Sequence, residues 1–433
     1  MKKFVILTLA LAVIALFAMP KGTSAAPIFI TKGDYQVFGT MNDNVVDMNS
    51  DTDDHAAYVT QRFRLTNIAI MKDVKGFFLI EVGWDEWGKS YGIQGGGAGE
   101  SWHQGADTGV SSDMSNNNIE VRAAWIDFTL PGTPLSVSVG KQFLYTHNHT
   151  VISAAGAVPS LQLTYNLAKG MDLKAWWVKI QEGTSSDAVL RGNGDDDNDL
   201  YALDFTMKNK TYEFGAYGVW NRMRTDNMVV AASSTPTPFV MPTAYTDDIY
   251  WIGVWAGFTI GPVKVGFDAI YDFGTRDFTT SGVQDQDYSG YYLRADATMT
   301  LGGVKLDFLT MYASGDNDST DNTMNQYATA RNTCKYPSMG LFLPGPNIFY
   351  WGNGIAAEDF TQACLPVSGW GLYDGTPPGN PFNTTALGRW LTMLGASYPI
   401  DKWTVIGKYW YMQTAQDFPS SVMYRSKEIG HEI

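Results

Sequence analysis

Residues 254–272 read VWAGFTIGPVKVGFDAIYD and carry the clearest structural signal in the chain. On both sides of Gly261-Pro262, an apolar side chain occupies every second position. A period of two residues is typical of a β-strand that has one apolar face and one mixed face. The alternative, a membrane helix from Ile249 to Val263, would contain three Gly and one Pro. The stretch therefore predicts two strands joined by a tight turn at Gly261-Pro262.

The same alternation recurs along the chain, for example over residues 291–299 and 304–312. It predicts about sixteen strands, with eighteen as the alternative count. The expected strand starts lie near residues 35, 57, 76, 118, 134, 160, 171, 199, 211, 247, 263, 288, 304, 387, 402 and 427. Tight turns are expected at residues 72–75, 131–133, 168–170, 208–210, 261–262, 302–303 and 399–401. Long polar loops are expected at residues 43–56, 88–117, 145–159, 183–198, 223–246, 275–287, 315–386 and 414–426.

This regular exchange of tight turns with long loops is typical of outer-membrane proteins. The predicted fold class is all-β: an antiparallel transmembrane β-barrel with short periplasmic turns and long extracellular loops. Aromatic residues cluster at the block ends, where the two girdles of such a barrel would lie. The clusters are Phe77-Phe78, Trp84 with Trp87, Trp176-Trp177, Tyr250-Trp251, Trp403 and Tyr409 to Tyr411. The alternative interpretation is the core of a soluble β-protein.

Composition narrows the class of protein further. Only 17% of the 433 residues are charged, 14% are aromatic, and the net charge is −14. A chain this apolar buries a core, which excludes disorder. After residue 25 no apolar run is long enough for a membrane helix, which excludes a helical membrane protein. The few scattered cations form no basic face, so no nucleic-acid partner is expected.

The N-terminus has the features of a secretory signal peptide. Lys2 and Lys3 precede an apolar segment, and Thr23-Ser24-Ala25 offers a cleavage site. We expect a signal peptide over residues 1–25 and a barrel domain over residues 26–433, with a retained anchor as the alternative. No Cys stands at the cleavage site, so this is not a lipoprotein signal. The last residues resemble the start of a strand, so we expect one or more final strands to be missing from the sequence.

The chain has two cysteines, Cys334 and Cys364, in the longest loop. An oxidising compartment favours a disulfide between them, with two buried thiols as the alternative. Pro, Gly and Asn around both residues favour the disulfide.

Four segments carry a resemblance to a known family. They are Gly33 to Thr40, Gln61 to Leu65, Ala124 to Phe128 and Val137 to Gln142. In this order they resemble the homotrimeric porins of Gram-negative bacteria, and they are also similar to alginate-export barrels. The match covers the first third of the chain, and the rest resembles the family in architecture. The resemblance implies a water-filled channel for small solutes in the outer membrane and, for the porin type, a homotrimer surrounded by lipid and lipopolysaccharide.

The resemblance also implies that the third long loop, Tyr145 to Pro159, folds inward and narrows the channel. On the mixed strand faces, charged side chains would point into the water-filled lumen. The candidate residues of the pore lining and constriction are Arg62, Arg64, Glu81, Glu120, Arg122, His147, His149, Arg294, Asp296 and Lys408. One hypothesis is that Arg62, Arg64 and Arg122 form a basic wall. The alternative is that they pair with Glu81, Glu120 or Asp127.

Acidic residues concentrate in the loops, and Asp195, Asp197 and Asp199 form a weak calcium candidate. Leu200 stands where an EF-hand needs Gly, and no Glu follows at the twelfth position, so an EF-hand is rejected. A divalent site that bridges to lipopolysaccharide is one interpretation, and a solvated acidic loop is preferred. An acidic vestibule would favour cations.

No catalytic motif stands out, so neither enzymatic activity nor a cofactor is expected. The chain lacks Gly-x-Ser-x-Gly, His-Glu-x-x-His and a phosphate-binding loop. His147-x-His149 lacks further ligands for a metal. The expected function is passive diffusion of small hydrophilic solutes and ions. The alternatives are a selective channel or exporter, for example for an anionic polysaccharide, and a surface adhesin or receptor built on loop 315–386.

Overall fold

The computed structural model describes the strands and the chain segments next to them. The described residues are 28–42, 56–86, 119–149, 151, 157–181, 198–225, 245–278, 284–316, 322–328, 389–416 and 428–432. The predicted signal peptide, both cysteines, Asp195 and Asp197 lie outside these ranges.

Within these ranges, the extended segments form one sheet of eighteen strands. The strands are β1 (Ile28–Asn42), β2 (Ala56–Met71), β3 (Val74–Glu86), β4 (Ile119–Thr129), β5 (Leu135–Gln142), β6 (Val158–Ala168), β7 (Met171–Gln181), β8 (Asn198–Lys208), β9 (Tyr212–Thr225), β10 (Tyr245–Ile260), β11 (Val263–Phe278), β12 (Gln286–Tyr288), β13 (Tyr291–Leu301), β14 (Val304–Ala313), β15 (Thr323–Met324), β16 (Arg389–Ile400), β17 (Trp403–Thr414) and β18 (Glu428–Glu432). A single turn of 3₁₀-helix covers His147–His149.

Consecutive long strands pair antiparallel, as the alternation predicted. Ile260 pairs with Val263, so the predicted turn at Gly261-Pro262 joins β10 to β11. The extra strands β12 and β15 are short and pair with each other in parallel. The all-β antiparallel fold class is thus confirmed. The described part of the chain holds no helix that is long and apolar enough to cross a bilayer.

The sheet curls around an interior. His147 lies five residues after the end of β5, yet it contacts Asp268 on β11 and Trp255 on β10. In a flat sheet, β5 and β11 would lie about 29 Å apart, at about 4.8 Å per strand. Five residues span at most about 18 Å. The loop after β5 therefore crosses an enclosed space, which we call the lumen.

The two faces of the sheet reverse the pattern of a soluble protein. Apolar side chains face outward, and charged side chains face inward. On β10 and β11, Ile252, Val254 and Phe267 point outward and are 50% to 58% exposed. Between them, Asp268 and Asp272 point into the lumen and are almost fully buried. Exposed apolar residues and inward charges are the pattern of a sheet that faces lipid. The predicted transmembrane β-barrel architecture follows from the chain's own pattern of exposure.

The aromatic girdle differs in one respect from the prediction. Neighbouring residues on a strand face opposite sides, so the predicted pairs Tyr250-Trp251 and Trp176-Trp177 are split. Tyr250 is 36% exposed, whereas Trp251 and Trp176 are buried in the lumen. An outward row of stacked rings does cross four strands, through Tyr201, Trp220, Tyr250 and Phe273.

Candidate functional site

The loop between β5 and β6 enters the lumen and is anchored on the opposite wall. His147 Nδ1 lies 2.6 Å from Asp268 Oδ1, and Asn148 donates its amide hydrogen to Asp268 Oδ2 over 2.8 Å. Because a carboxylate only accepts, His147 Nδ1 carries the shared hydrogen. The sequence placed this loop at Tyr145 to Pro159, but Pro159 is the second residue of β6, so the loop ends at Ala157.

The wall that the loop contacts presents the ring of Trp255 to the imidazole of His147. The His147 imidazole lies 3.9 Å from the Trp255 ring, with 3° between the two planes. Trp255 in turn lies over Gly215 of β9, where a Cβ atom would fall 2.5 Å from the indole nitrogen. Glycine at position 215 thus allows the indole to lie flat on the backbone, which gives the imidazole a planar surface.

Asp268 also joins the loop to a cation of the barrel wall. Arg294 Nη1 of β13 donates to Asp268 over 3.0 Å and lies 3.1 Å from Asp296. The carboxylate of Asp268 is 1% exposed and receives hydrogen bonds from three side chains, which compensates the cost of burying its charge. The candidates His147, Arg294 and Asp296 therefore lie together, at an anion that the sequence analysis did not single out.

Apolar contacts hold the rest of the loop. Leu144 and Val151 are at most 2% exposed and pack in one buried cluster with Val178, Leu200 and Trp251 of the wall. Deeply buried aliphatic side chains of this kind each contribute about 1.5–3 kcal/mol to the packing. The loop is thus fixed both by its polar tip and by its apolar flanks.

A second charge cluster lies on β2, β3 and β4. Arg64 Nε donates to Glu81 Oε2, and Arg122 Nε lies 3.8 Å from the same oxygen. Glu81 is 2% exposed, whereas the side chains of Arg64 and Arg122 are 25% and 15% exposed. Among the described side chains, Arg64 is thus paired with Glu81, and Arg122 lies near the same carboxylate. The side chains of Arg62 and Glu120 lie outside the described residues, as does that of His149.

A second chain segment, residues 322–328, also folds into the lumen. Asp272 of β11 accepts the backbone hydrogens of Gly290 over 3.0 Å and of Ala328 over 3.1 Å. Trp251 donates its indole hydrogen to the Ala328 carbonyl over 2.8 Å. Burial raises the pKa of Tyr327, so its hydroxyl stays neutral. We call residues 322–328 the inward segment.

A buried ion pair joins β10 and β11 near the ends of these strands that lead to the long loops. Arg276 Nε and Nη2 donate to the two oxygens of Asp247 over 2.8 and 2.9 Å, and both side chains are at most 1% exposed. Arg276 also donates to the hydroxyl of Tyr288 on β12. A two-pronged pair of this kind fixes β10, β11 and β12 in one arrangement.

The remaining predicted site residues lie apart. Lys408 of β17 stands opposite Gly395 of β16. A Cβ atom on Gly395 would lie 3.5 Å from both Lys408 and Asp307. Asp199, the described member of the weak calcium candidate, binds Trp177 and Lys179 instead of a second carboxylate. Within the described ranges, no group of three or more His, Cys, Asp or Glu side chains is arranged to hold a metal ion.

Comparisons with known proteins find similarity in structure only. No family model and no curated protein matches the sequence. OmpT of Vibrio cholerae in its trimer form is 12% identical, with 93% of this chain and 95% of that chain covered and a TM-score of 0.44. A BenF-like porin from Pseudomonas fluorescens Pf-5 is 11% identical, with 90% and 84% covered and a TM-score of 0.44. OprB of Pseudomonas putida is 11% identical, with 89% of each chain covered and a TM-score of 0.41.

Similarities this low do not establish an activity. The fold is therefore inferred from the strand pairing and contacts of the chain itself. Those contacts give an antiparallel meander, an apolar outer face and a charged interior crossed by a loop. By these features the chain has the architecture of an outer-membrane β-barrel of the porin type.

Proposed function

We propose that the protein forms a water-filled channel in the bacterial outer membrane for passive diffusion of small hydrophilic solutes and ions. The observation that carries this proposal is the reversal of the two sheet faces. Apolar side chains such as Ile252 and Leu394 are 56% exposed on the outside, and charged groups such as Asp268 and Glu81 line the inside. A charged interior needs water, and an apolar exterior needs lipid.

The loop between β5 and β6 and the inward segment narrow this channel. Both pack against the wall formed by β7 to β13, where Leu144 and Val151 of the loop and Met324, Tyr327 and Ala328 of the inward segment are buried. Because both elements are anchored on this wall, we expect solutes to pass on the side of the lumen next to Arg64 and Arg122.

The charges support a general pore over a selective one. A lumen for one anionic polymer would present unpaired cations along its length. Three of the described cations instead pair with carboxylates: Arg64 with Glu81, Arg294 with Asp268 and Lys305 with Asp307. We therefore favour small solutes of either charge over an anionic polysaccharide.

Liposome swelling with neutral sugars of rising size tests the proposal. The folded full chain should admit small sugars and slow progressively as the sugar grows. Entry of one sugar alone would support a selective channel, and no entry at all would support an adhesin or receptor. Protein-free liposomes and liposomes with heat-unfolded protein are the controls. Cross-linking in mild detergent would test the expected homotrimer.

A further inference from the structure

A row of three fully buried side chains crosses the lumen face of β8, β9 and β10. Leu200 pairs with Asn221 and Asn221 with Ile249, and each of the three is 0% exposed. A side chain that points into a water-filled lumen is buried only if another element lies over it. Leu200 and Ile249 belong to one buried cluster with side chains of the loop between β5 and β6 and of the inward segment. These two elements therefore cover the row.

The wall under the loop and the inward segment contains polar atoms without a hydrogen-bond partner. In the described part of the chain, neither the amide nitrogen nor the amide oxygen of Asn221 has one, and the indole nitrogens of Trp176 and Trp255 also lack one. All four atoms are hidden from solvent. Trp251 of the same wall shows the usual arrangement, because its indole donates to the Ala328 carbonyl over 2.8 Å. We call Trp176, Asn221 and Trp255 the unpaired wall residues.

A buried polar group without a partner destabilises the arrangement that buries it, because its hydrogen bonds to water are lost and not replaced. Nearly all buried polar groups in folded proteins have a partner. The unpaired wall residues weaken only the state in which the loop and the inward segment cover the wall, which we call the covered state. Once these elements move away, the same groups face the lumen, and water forms hydrogen bonds with them.

Apolar contacts act in the opposite direction. Leu144, Val151 and Tyr327 are at most 4% exposed, and their side chains would return to water if the two elements left the wall. The hydrogen bond between His147 and Asp268 also holds the covered state. The balance between the covered and uncovered states is thus set by opposing contributions, and a change in either contribution shifts the populations.

We propose that the loop and the inward segment form a gate, and that the unpaired wall residues favour its opening. In the covered state the channel is narrow. In the open state the two elements leave the wall, and Trp176 and Asn221 line a wider channel for larger hydrophilic solutes. The effect of the gate on conductance rests on the proposed channel function, whereas its effect on stability does not.

Single-channel recordings and unfolding temperatures of the full chain test the gate. Asn221→Leu replaces the amide by an apolar side chain that branches at the same carbon. It should therefore raise the unfolding temperature and make wide openings about fivefold rarer or more. The openings are counted in the His147→Ala background, where the lost anchor makes them frequent. Asn221→Asp buries a charge in the same row and should make wide openings more frequent.

Trp176→Phe and Trp251→Phe form a matched pair, because both remove the same atoms from the same buried cluster. Only Trp251→Phe breaks a hydrogen bond, the one to the Ala328 carbonyl. Wide openings should therefore be about fivefold rarer or more in Trp176→Phe than in Trp251→Phe. The unfolding temperature of Trp176→Phe should also be the higher of the two.

Equal wide openings in the matched pair, together with an Asn221→Leu variant that opens as often as its background, would overturn the gate. A lowered unfolding temperature for Asn221→Leu would also overturn it if Trp176→Phe is no more stable than Trp251→Phe. If no variant conducts although all are folded and inserted, the proposed channel function fails. The unfolding temperatures alone then decide whether the unpaired wall residues weaken the covered state.

Discussion

The imidazole of His147 lies 2.6 Å from the carboxylate of Asp268, although 121 residues separate them in the chain. The loop after β5 crosses the lumen, and this contact joins it to the far wall. Asp268 also holds Arg294, so one buried anion fixes both the loop and a wall cation. The width of the proposed channel therefore depends on a few polar contacts that can be removed singly.

Replacing His147 by Ala should loosen the loop. It removes the hydrogen bond to Asp268 and the stack on Trp255. Loss of a hydrogen bond to a charged group costs about 1.5–3 kcal/mol, which would raise the share of molecules with a displaced loop by about 10- to 100-fold. Single-channel recordings should show added higher-conductance openings. Gln162→Ala, a lumen residue on β6, should not, and a silent His147→Ala would contradict the anchoring role.

Glu81→Gln should shift the channel toward anions. Glu81 is the carboxylate between Arg64 and Arg122, so its loss leaves two positive charges without their shared anion. Breaking a buried pair also costs about 3–5 kcal/mol, so the thermal stability should fall. The reversal potential in a salt gradient measures the selectivity. Asp277→Asn, at an exposed position on the outer face of β11, is the control and should leave it unchanged.

The hypothesis of a basic wall on β2 and β4 is tested by removing its cations. Arg62→Ala, Arg64→Ala and Arg122→Ala should each move the reversal potential toward cation preference, because each removes a cation from β2 or β4. Unchanged conductance and ion preference in all three variants would reject a role for this wall in the constriction.

Asp272→Ala should release the inward segment. Asp272 accepts the backbone hydrogens of Gly290 and Ala328, and two orphaned donors would cost about 1–3 kcal/mol each. Larger neutral sugars should then enter liposomes that exclude them when the protein is unaltered. Asp127→Ala, at a lumen carboxylate on β4, should leave the size limit in place. If both variants retain the original limit, the inward segment does not narrow the channel.

Gly253 and Gly215 should not tolerate substitution by alanine, whereas Gly218 on the same sheet should. A Cβ on Gly253 would overlap the ring of Tyr217, and one on Gly215 would fall against Trp255 and the Phe205 carbonyl. Overpacking of this kind costs about 1–3 kcal/mol, so Gly253→Ala and Gly215→Ala should lower the unfolding temperature. A Cβ on Gly218 meets nothing within 4 Å, so Gly218→Ala should be neutral. Equal temperatures for all three would refute the packing.

The sequence predicted the strands better than the site. The period of two gave the β10–β11 hairpin and its turn, because each strand carries that signal in its own residues. The partnership of His147 with Asp268 has no local signal, since it depends on how far the sheet curls. Asp272 and the inward segment were missed for the same reason.

The outward pairs Trp177 with Asp199 and Trp220 with Asp248 were also missed, although part of their signal is local. Trp177-x-Lys179 and Trp220-x-Arg222 share one spacing, which a search for repeats on alternating positions would have found. The aspartates come from neighbouring strands, so only the strand register shows that Asp199 stands opposite both Lys179 and Arg222, and Asp248 opposite Arg222.

The conductance of the purified full chain in planar lipid bilayers shows whether the barrel is an open channel. We expect stepwise, ohmic increases in current on insertion, with cations and anions both permeant. Bilayers that stay electrically silent, although the folded protein is demonstrably inserted, would contradict it.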